Sequence, residues 1–137
     1  MFVLLSRKRY KTLTQDKLTG LVASNAFDQR KASRYKCVWF FDIDGLKEIN
    51  DRRGHAAGNA HIKDGIAELL QHFRRKSDYM VRWGEGDEFL VFSDRDTIPP
   101  LKYWSAGVAI IRDDLDGAIA AADAAMYIDK QIRKSRG

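Results

Sequence analysis

A chain of 137 residues fits one compact domain, and its 45% hydrophobic content supplies a real core, which excludes a disordered protein. The 24 Lys and Arg against 19 Asp and Glu leave a net charge of +5, a mild excess that suits polyphosphate handling and also an ordinary solvated surface. Cys37 is the single cysteine, which excludes an internal disulfide, and the apolar run at residues 2–5 is too short for a signal peptide or membrane span, so a cytoplasmic setting is expected.

Residues 12–34 read as a helical lead-in, because Leu13, Leu18, Leu21 and Phe27 recur near the helical period, with a break at Gly20. Residues 36–41 form a short β-branched and aromatic run, the pattern of a buried strand, which stops abruptly at Asp42-Ile43-Asp44-Gly45. Over residues 57–76, Ile62, Ile66, Leu69, Leu70 and Phe73 fall on one stripe of a helix. Residues 79–83 and 87–92 read as strands joined at Gly84-Glu85-Gly86, a hairpin signal. Pro99-Pro100 breaks the chain before a strand at 103–111 and an Ala-rich amphipathic helix at 116–134. The order α β α α β β β α implies an α+β fold, with a mixed, mostly antiparallel central sheet flanked by helices. One domain is expected over residues 16–137, after an N-terminal extension at 1–15. The basic cluster at residues 7–11 reads as a solvated helix end rather than a nucleic-acid patch.

Two groups of carboxylates stand out. Asp42 and Asp44 sit at a strand end, and Asp87 and Glu88 follow the glycine turn. Carboxylates in such places are costly unless solvated, paired or bound to metal. If the hairpin pairs beside the 36–41 strand, Asp42 and Asp87 converge, and hard oxygens there suit Mg²⁺. Alternatively, Asp42 and Asp44 cap the next helix while Asp87 and Glu88 are hairpin surface. Spacing leaves both readings open.

Several segments in order carry a resemblance. Asp16-Lys17-Leu18-Thr19-Gly20-Leu21 is followed by Asp42-Ile43-Asp44-Gly45-Leu46-Lys47-Glu48-Ile49-Asn50-Asp51 and its sequel Gly54-His55-Ala56-Ala57-Gly58. Then come Arg82-Trp83-Gly84-Glu85-Gly86-Asp87-Glu88-Phe89, Ser105-Ala106-Gly107-Val108-Ala109, and Ala122-Asp123-Ala124-Ala125-Met126-Tyr127-Ile128-Asp129-Lys130. Together they resemble the GGDEF domains, diguanylate cyclase-like nucleotidyltransferases, here in a compact stand-alone form. The resemblance implies a shortened palm or nucleotide-cyclase-like fold. It also implies condensation of two purine nucleoside triphosphates into a cyclic dinucleotide, with GTP to cyclic di-GMP the first expectation. Two Mg²⁺ or Mn²⁺ ions per site, a catalytic homodimer, no nucleic-acid template and no membrane go with it.

By the same resemblance, Asp42, Asp87 and the Ile43 carbonyl hold metal, and Glu88 activates or positions the attacking hydroxyl. Gly84 and Gly86 let backbone approach the phosphates. Lys47, Lys130 and Lys134 meet phosphate charge, and Asn50 and Asn59 meet the base. Arg75 and Asp78 match an R-x-x-D product-inhibition site. Four departures stand against the family pattern. Glu85 lengthens the glycine turn, and Asn59 replaces a base-reading aspartate, which opens adenine-containing products. The link from Phe92 to Trp104 is short, and Arg133 stands where glycine is common. The alternative expectation is a catalytically degenerate domain that binds a nucleotide or cyclic dinucleotide.

Overall fold

The computed structural model describes residues 14–136, so the basic cluster at 7–11, Leu13 and most of the expected extension lie outside the described residues. Strand β1, Cys37–Ile43, is buried along its whole length. A strand buried on both faces needs no polar alternation, which is why the apolar run reads so clearly. Its side chains divide between two layers. Trp39, Phe41 and Ile43 pack with Ile62, Ile66, Leu69 and Trp104, while Val38 and Phe40 pack with Ala118, Ala122 and Met126.

The first layer is made by helices α2 (Leu46–Arg53) and α3 (His55–Leu69), and the second by the terminal helix α4 (Leu115–Arg136). Between them lie β2 (Tyr79–Trp83), β3 (Glu88–Ser93) and β4 (Trp104–Ile110), in the sheet order β2-β3-β1-β4. All three ladders are antiparallel. The register sets Asp42 opposite Glu88 on one side and Ser105 on the other. Helix α4 lies so close to β4 that a Cβ on Gly107 would overlap the backbone of Ala122 and Met126.

The helical lead-in expected at 12–34 is not what forms. Among the described residues it holds a 3₁₀ turn at Ser24–Ala26 and the single-turn helix α1, Gln29–Ala32, capped by the Asp28 side chain. The Asp16 carboxylate accepts the Thr19 N–H at 2.9 Å and its hydroxyl at 2.7 Å, closing a turn, and Val22 bridges to Val81. Side-chain bonds of this kind compete with helix formation. The helix expected at 57–76 ends at Leu69, and the Arg74 N–H is taken by the Asp78 carboxylate at 2.7 Å instead.

The short link at 94–103 has neither helix nor strand. It is held by its carbonyl and amide groups. Trp39 Nε1 donates to the Arg95 carbonyl at 2.8 Å, and the Glu68 carboxylate accepts the N–H groups of Lys102 (2.6 Å) and Tyr103 (3.0 Å). No helix among the described residues is long and apolar enough to cross a membrane.

Candidate active site

Where β1 ends, three elements meet: the Asp44-Gly45 turn into α2, the β2–β3 turn, and the last turns of α4. They enclose a cleft of about 1000 Å³, lined among others by Asp42, Asp87, Lys47, Lys130, Arg133 and Lys134. Asp42 points to the α4 side of the sheet and accepts from Lys130 Nζ at 3.2 Å. Asp44 is held from two directions, by the Ser105 hydroxyl at 2.6 Å and by Arg133 Nε at 2.8 Å. Arg133 also donates to the Lys102 carbonyl at 3.1 Å, so it ties the last turns of α4 to the mouth of the cleft.

The β2–β3 turn runs over residues 84–87. Gly84 (φ 57°) and Gly86 (φ 106°) take left-handed conformations that residues with a Cβ rarely adopt. Arg82 fixes this turn. Its Nε donates to the Gly86 carbonyl at 2.9 Å, and its Nη1 reaches both oxygens of Asp16 at 3.0 Å. The Ile43 N–H donates to the Asp87 carbonyl at 3.2 Å, which tethers the turn to the end of β1. Glu85 is exposed.

Burial is the largest influence on the Asp42 carboxyl and pushes its pKa up. Lys130 opposes this, and the nearby charges of Asp87 and Asp44 push it further up. The Glu88 carboxyl is likewise raised, by burial first and then by Asp87, Asp42 and Asp123. Asp16 goes the other way: its partial burial is outweighed by the Thr19 hydrogen bonds and Arg82, which hold it below the usual range. Asp42, Asp87 and Glu88 therefore crowd negative charge around the end of β1, and Lys130 offsets part of it.

That charge and the oxygen donors fit a hard divalent cation. No closed cluster of three or more His, Cys, Asp or Glu side chains with metal-binding geometry occurs among the described residues. Two carboxylates and a backbone carbonyl leave room for water and phosphate oxygens, the surroundings Mg²⁺ takes most often.

Of the residues expected at the site, Asp42, Ile43, Lys47, Asp87, Lys130 and Lys134 all line this cleft. Glu88 lies beside it, with its Oε1 only 2.7 Å from where a Cβ on Gly84 would stand. Asn50 and Asn59 are not among the lining residues. The Asn50 amide packs onto α3 at Gly58, where any Cβ would overlap its oxygen, and Asn59 is exposed.

Arg75 and Asp78 belong to different bonding sets. Arg75 Nη2 donates to the Thr19 carbonyl at 3.1 Å, and Asp78 accepts the Ser93 hydroxyl at 2.6 Å as well as the Arg74 amide. Asp78, with Arg74 and Arg95, borders a separate groove of about 460 Å³. The brace from Arg133 to Asp44 was invisible in the sequence, since the pair is 89 residues apart. The Arg82–Asp16 pair sits inside two quoted motifs, and the complementary charge of those motifs was the available signal.

The family model described as "Diguanylate cyclase, GGDEF domain" matches residues 13–98. "Probable diguanylate cyclase DgcJ" of Escherichia coli (strain K12) is 34% identical over 116 residues, covering 69% of this chain and 23% of that protein. "Cyclic di-GMP phosphodiesterase NbdA" of Pseudomonas aeruginosa is 35% identical over 88 residues, covering 58% of this chain and 11% of that protein. This chain thus spans less than a quarter of either relative. Among solved structures, a microbial GGDEF domain described in its interaction with cyclic di-GMP aligns with a TM-score of 0.69 at 27% identity, over 88% of this chain and 92% of that one.

Proposed function

Because this chain belongs to the GGDEF domain family, we propose that its cleft condenses two purine nucleoside triphosphates into a cyclic dinucleotide. The observation that carries this reading is the convergence of Asp42 and Asp87 on one cleft that also holds Lys47, Lys130 and Lys134. Acidic oxygens for cations and basic side chains for phosphates, side by side, are what phosphoryl transfer asks of a protein.

Asp42, Asp87 and the Ile43 carbonyl would hold two Mg²⁺ or Mn²⁺ ions. Such ions neutralise triphosphate charge and make a 3′-hydroxyl easier to deprotonate. The lysines orient the triphosphate. Glu88, with its raised pKa, lies beside the turn and positions the hydroxyl that attacks the α-phosphate of the opposing nucleotide. Pyrophosphate leaves. Because each chain offers one such cleft, closure of the ring needs two copies meeting cleft to cleft, without a template strand. A cytoplasmic setting, where nucleoside triphosphates are abundant, goes with this reading. GTP is the first substrate expected, with Asn59 leaving adenine open through its donor as well as acceptor groups.

A second reading is a binding module that holds a nucleotide or cyclic dinucleotide without turnover. Lys130 on Asp42 at 3.2 Å and the exposed Glu85 in the turn favour it. Incubating the chain with GTP, with ATP and with both, in Mg²⁺, and identifying products by mass spectrometry separates the two. The enzyme yields pyrophosphate and a cyclic dinucleotide, both lost in Asp87→Ala. Nucleotide binding with no product at any protein concentration decides for the module.

A further inference from the structure

Strand β4 closes one side of the sheet and, among the described residues, has no strand on its outer side. The Ile111 N–H bonds inward to the Lys36 carbonyl, so residues of opposite parity (Ala106, Val108 and Ile110) turn their backbone groups outward. Among the described residues, only the Ala106 N–H of that row is capped, by the Asp129 carboxylate at 2.8 Å. An open row of this kind is a template for another strand.

Large apolar side chains stand exposed near this edge. Ile110 is 43% exposed, Ile128 61% and Ile132 44%, three of the four large hydrophobic residues exposed among those described. On α4, Ala118, Ala122 and Met126 face the sheet and Lys130 faces the cleft, so helical spacing sends Ala121, Ala125, Ile128 and Ile132 to the flank beyond β4. Ala121 borders the same small groove as Ile110.

We propose that this edge and flank bind a second copy of the same chain, β4 against β4, about a two-fold axis near Ala109. Val108 then pairs with Ile110 of the second copy. The Ala106 amide stays with Asp129, and the two small-residue flanks of α4 meet on one face. Charge selects this occupant. Lys102 precedes β4, while the exposed Arg112, Asp113 and Asp114 follow it and Asp116 stands in the first turn of α4. Antiparallel pairing sets Lys102 of each copy against those acids on the other, and Arg112 against Asp129, both twice over by symmetry. The paired chains open their clefts toward opposite ends. This contact is therefore separate from the cleft-to-cleft meeting that catalysis would need, and it stands whether or not the chain is an enzyme.

Sedimentation equilibrium of the whole chain tests it, with hydrogen exchange of the β4 amides alongside. A reversible dimer is expected, with Val108 and Ile110 amides slowing as concentration rises. Ile110→Lys, and Ile128→Glu with Ile132→Glu, should raise Kd by about tenfold or more. Tyr127→Glu, the fourth exposed hydrophobe but outside this flank, should leave Kd unchanged. All these side chains are exposed, so circular dichroism should show each variant folded. A monomer at every concentration overturns the proposal, as does a dimer equally insensitive to the isoleucine and tyrosine variants. Protection of those amides independent of concentration would also overturn it, since a segment of the same chain would then cover the edge.

Discussion

Asp42 holds the most exacting position in the molecule. It is a carboxylate at the end of a wholly buried strand, with Asp44 next but one and Asp87 across the turn. Its folded pKa lies above the ordinary 3.8, so its contribution to stability is greatest when protonated and is lost as pH rises through the folded value. At pH 7 the ionised group therefore costs stability despite Lys130. Asp42→Asn is expected to melt higher than the parent at pH 7 without divalent ions. The gain should shrink toward zero as the pH falls below the folded pKa. A lower melting temperature at pH 7 would mean that the Lys130 pairing outweighs burial. At this scale the sequence was legible where a motif named the atom, as with Asp42, Asp87 and Lys130. It was silent where partners come from distant segments. Arg133 looked like a bare departure from the family pattern, and only the folded chain shows it bracing Asp44 and the Lys102 carbonyl.

Between elements, the decisive contact is the seating of α4 on β4. Gly107 is where the two backbones meet, with no space for a methyl group against the helix backbone, which cannot move aside as a side chain can. Gly65 is a milder case, since its Cβ would stand 2.8 Å from the Trp104 ring and 3.1 Å from the Ile43 side chain. Gly107→Ala should cost about 3 kcal/mol or more, and Gly65→Ala about 1–3 kcal/mol, both read from urea unfolding midpoints. Because α4 carries Lys130 and Lys134, the first substitution should disturb the cleft from the helix side, while the second reaches it only through the Ile43 side chain. The β1 and hairpin strands were readable because burial on both faces leaves a continuous apolar run. The segment at 12–34 was not. Its leucine spacing imitates a helix, yet Leu18 and Leu21 serve a turn whose fixed points, Arg75 and Arg82, lie more than fifty residues further on. Periodicity has no access to such long-range anchors.

For the whole molecule, the sheet order is what turns scattered motifs into a site. Setting β1 between β3 and β4 brings the Asp42 segment, the glycine turn and the end of α4 to one edge, while the outer side of β4 lies along a different face. On the proposed function, Asp42 and Asp87 together hold divalent cations over a bound triphosphate. Electron paramagnetic resonance titration with Mn²⁺, in the presence of a non-hydrolysable GTP or ATP analogue, measures this directly. The parent chain should bind two Mn²⁺ per chain only when the analogue is present, and Asp42→Asn and Asp87→Asn should each lose at least one of them. Unchanged Mn²⁺ binding in both variants, or none in the parent chain with either analogue, would contradict the account.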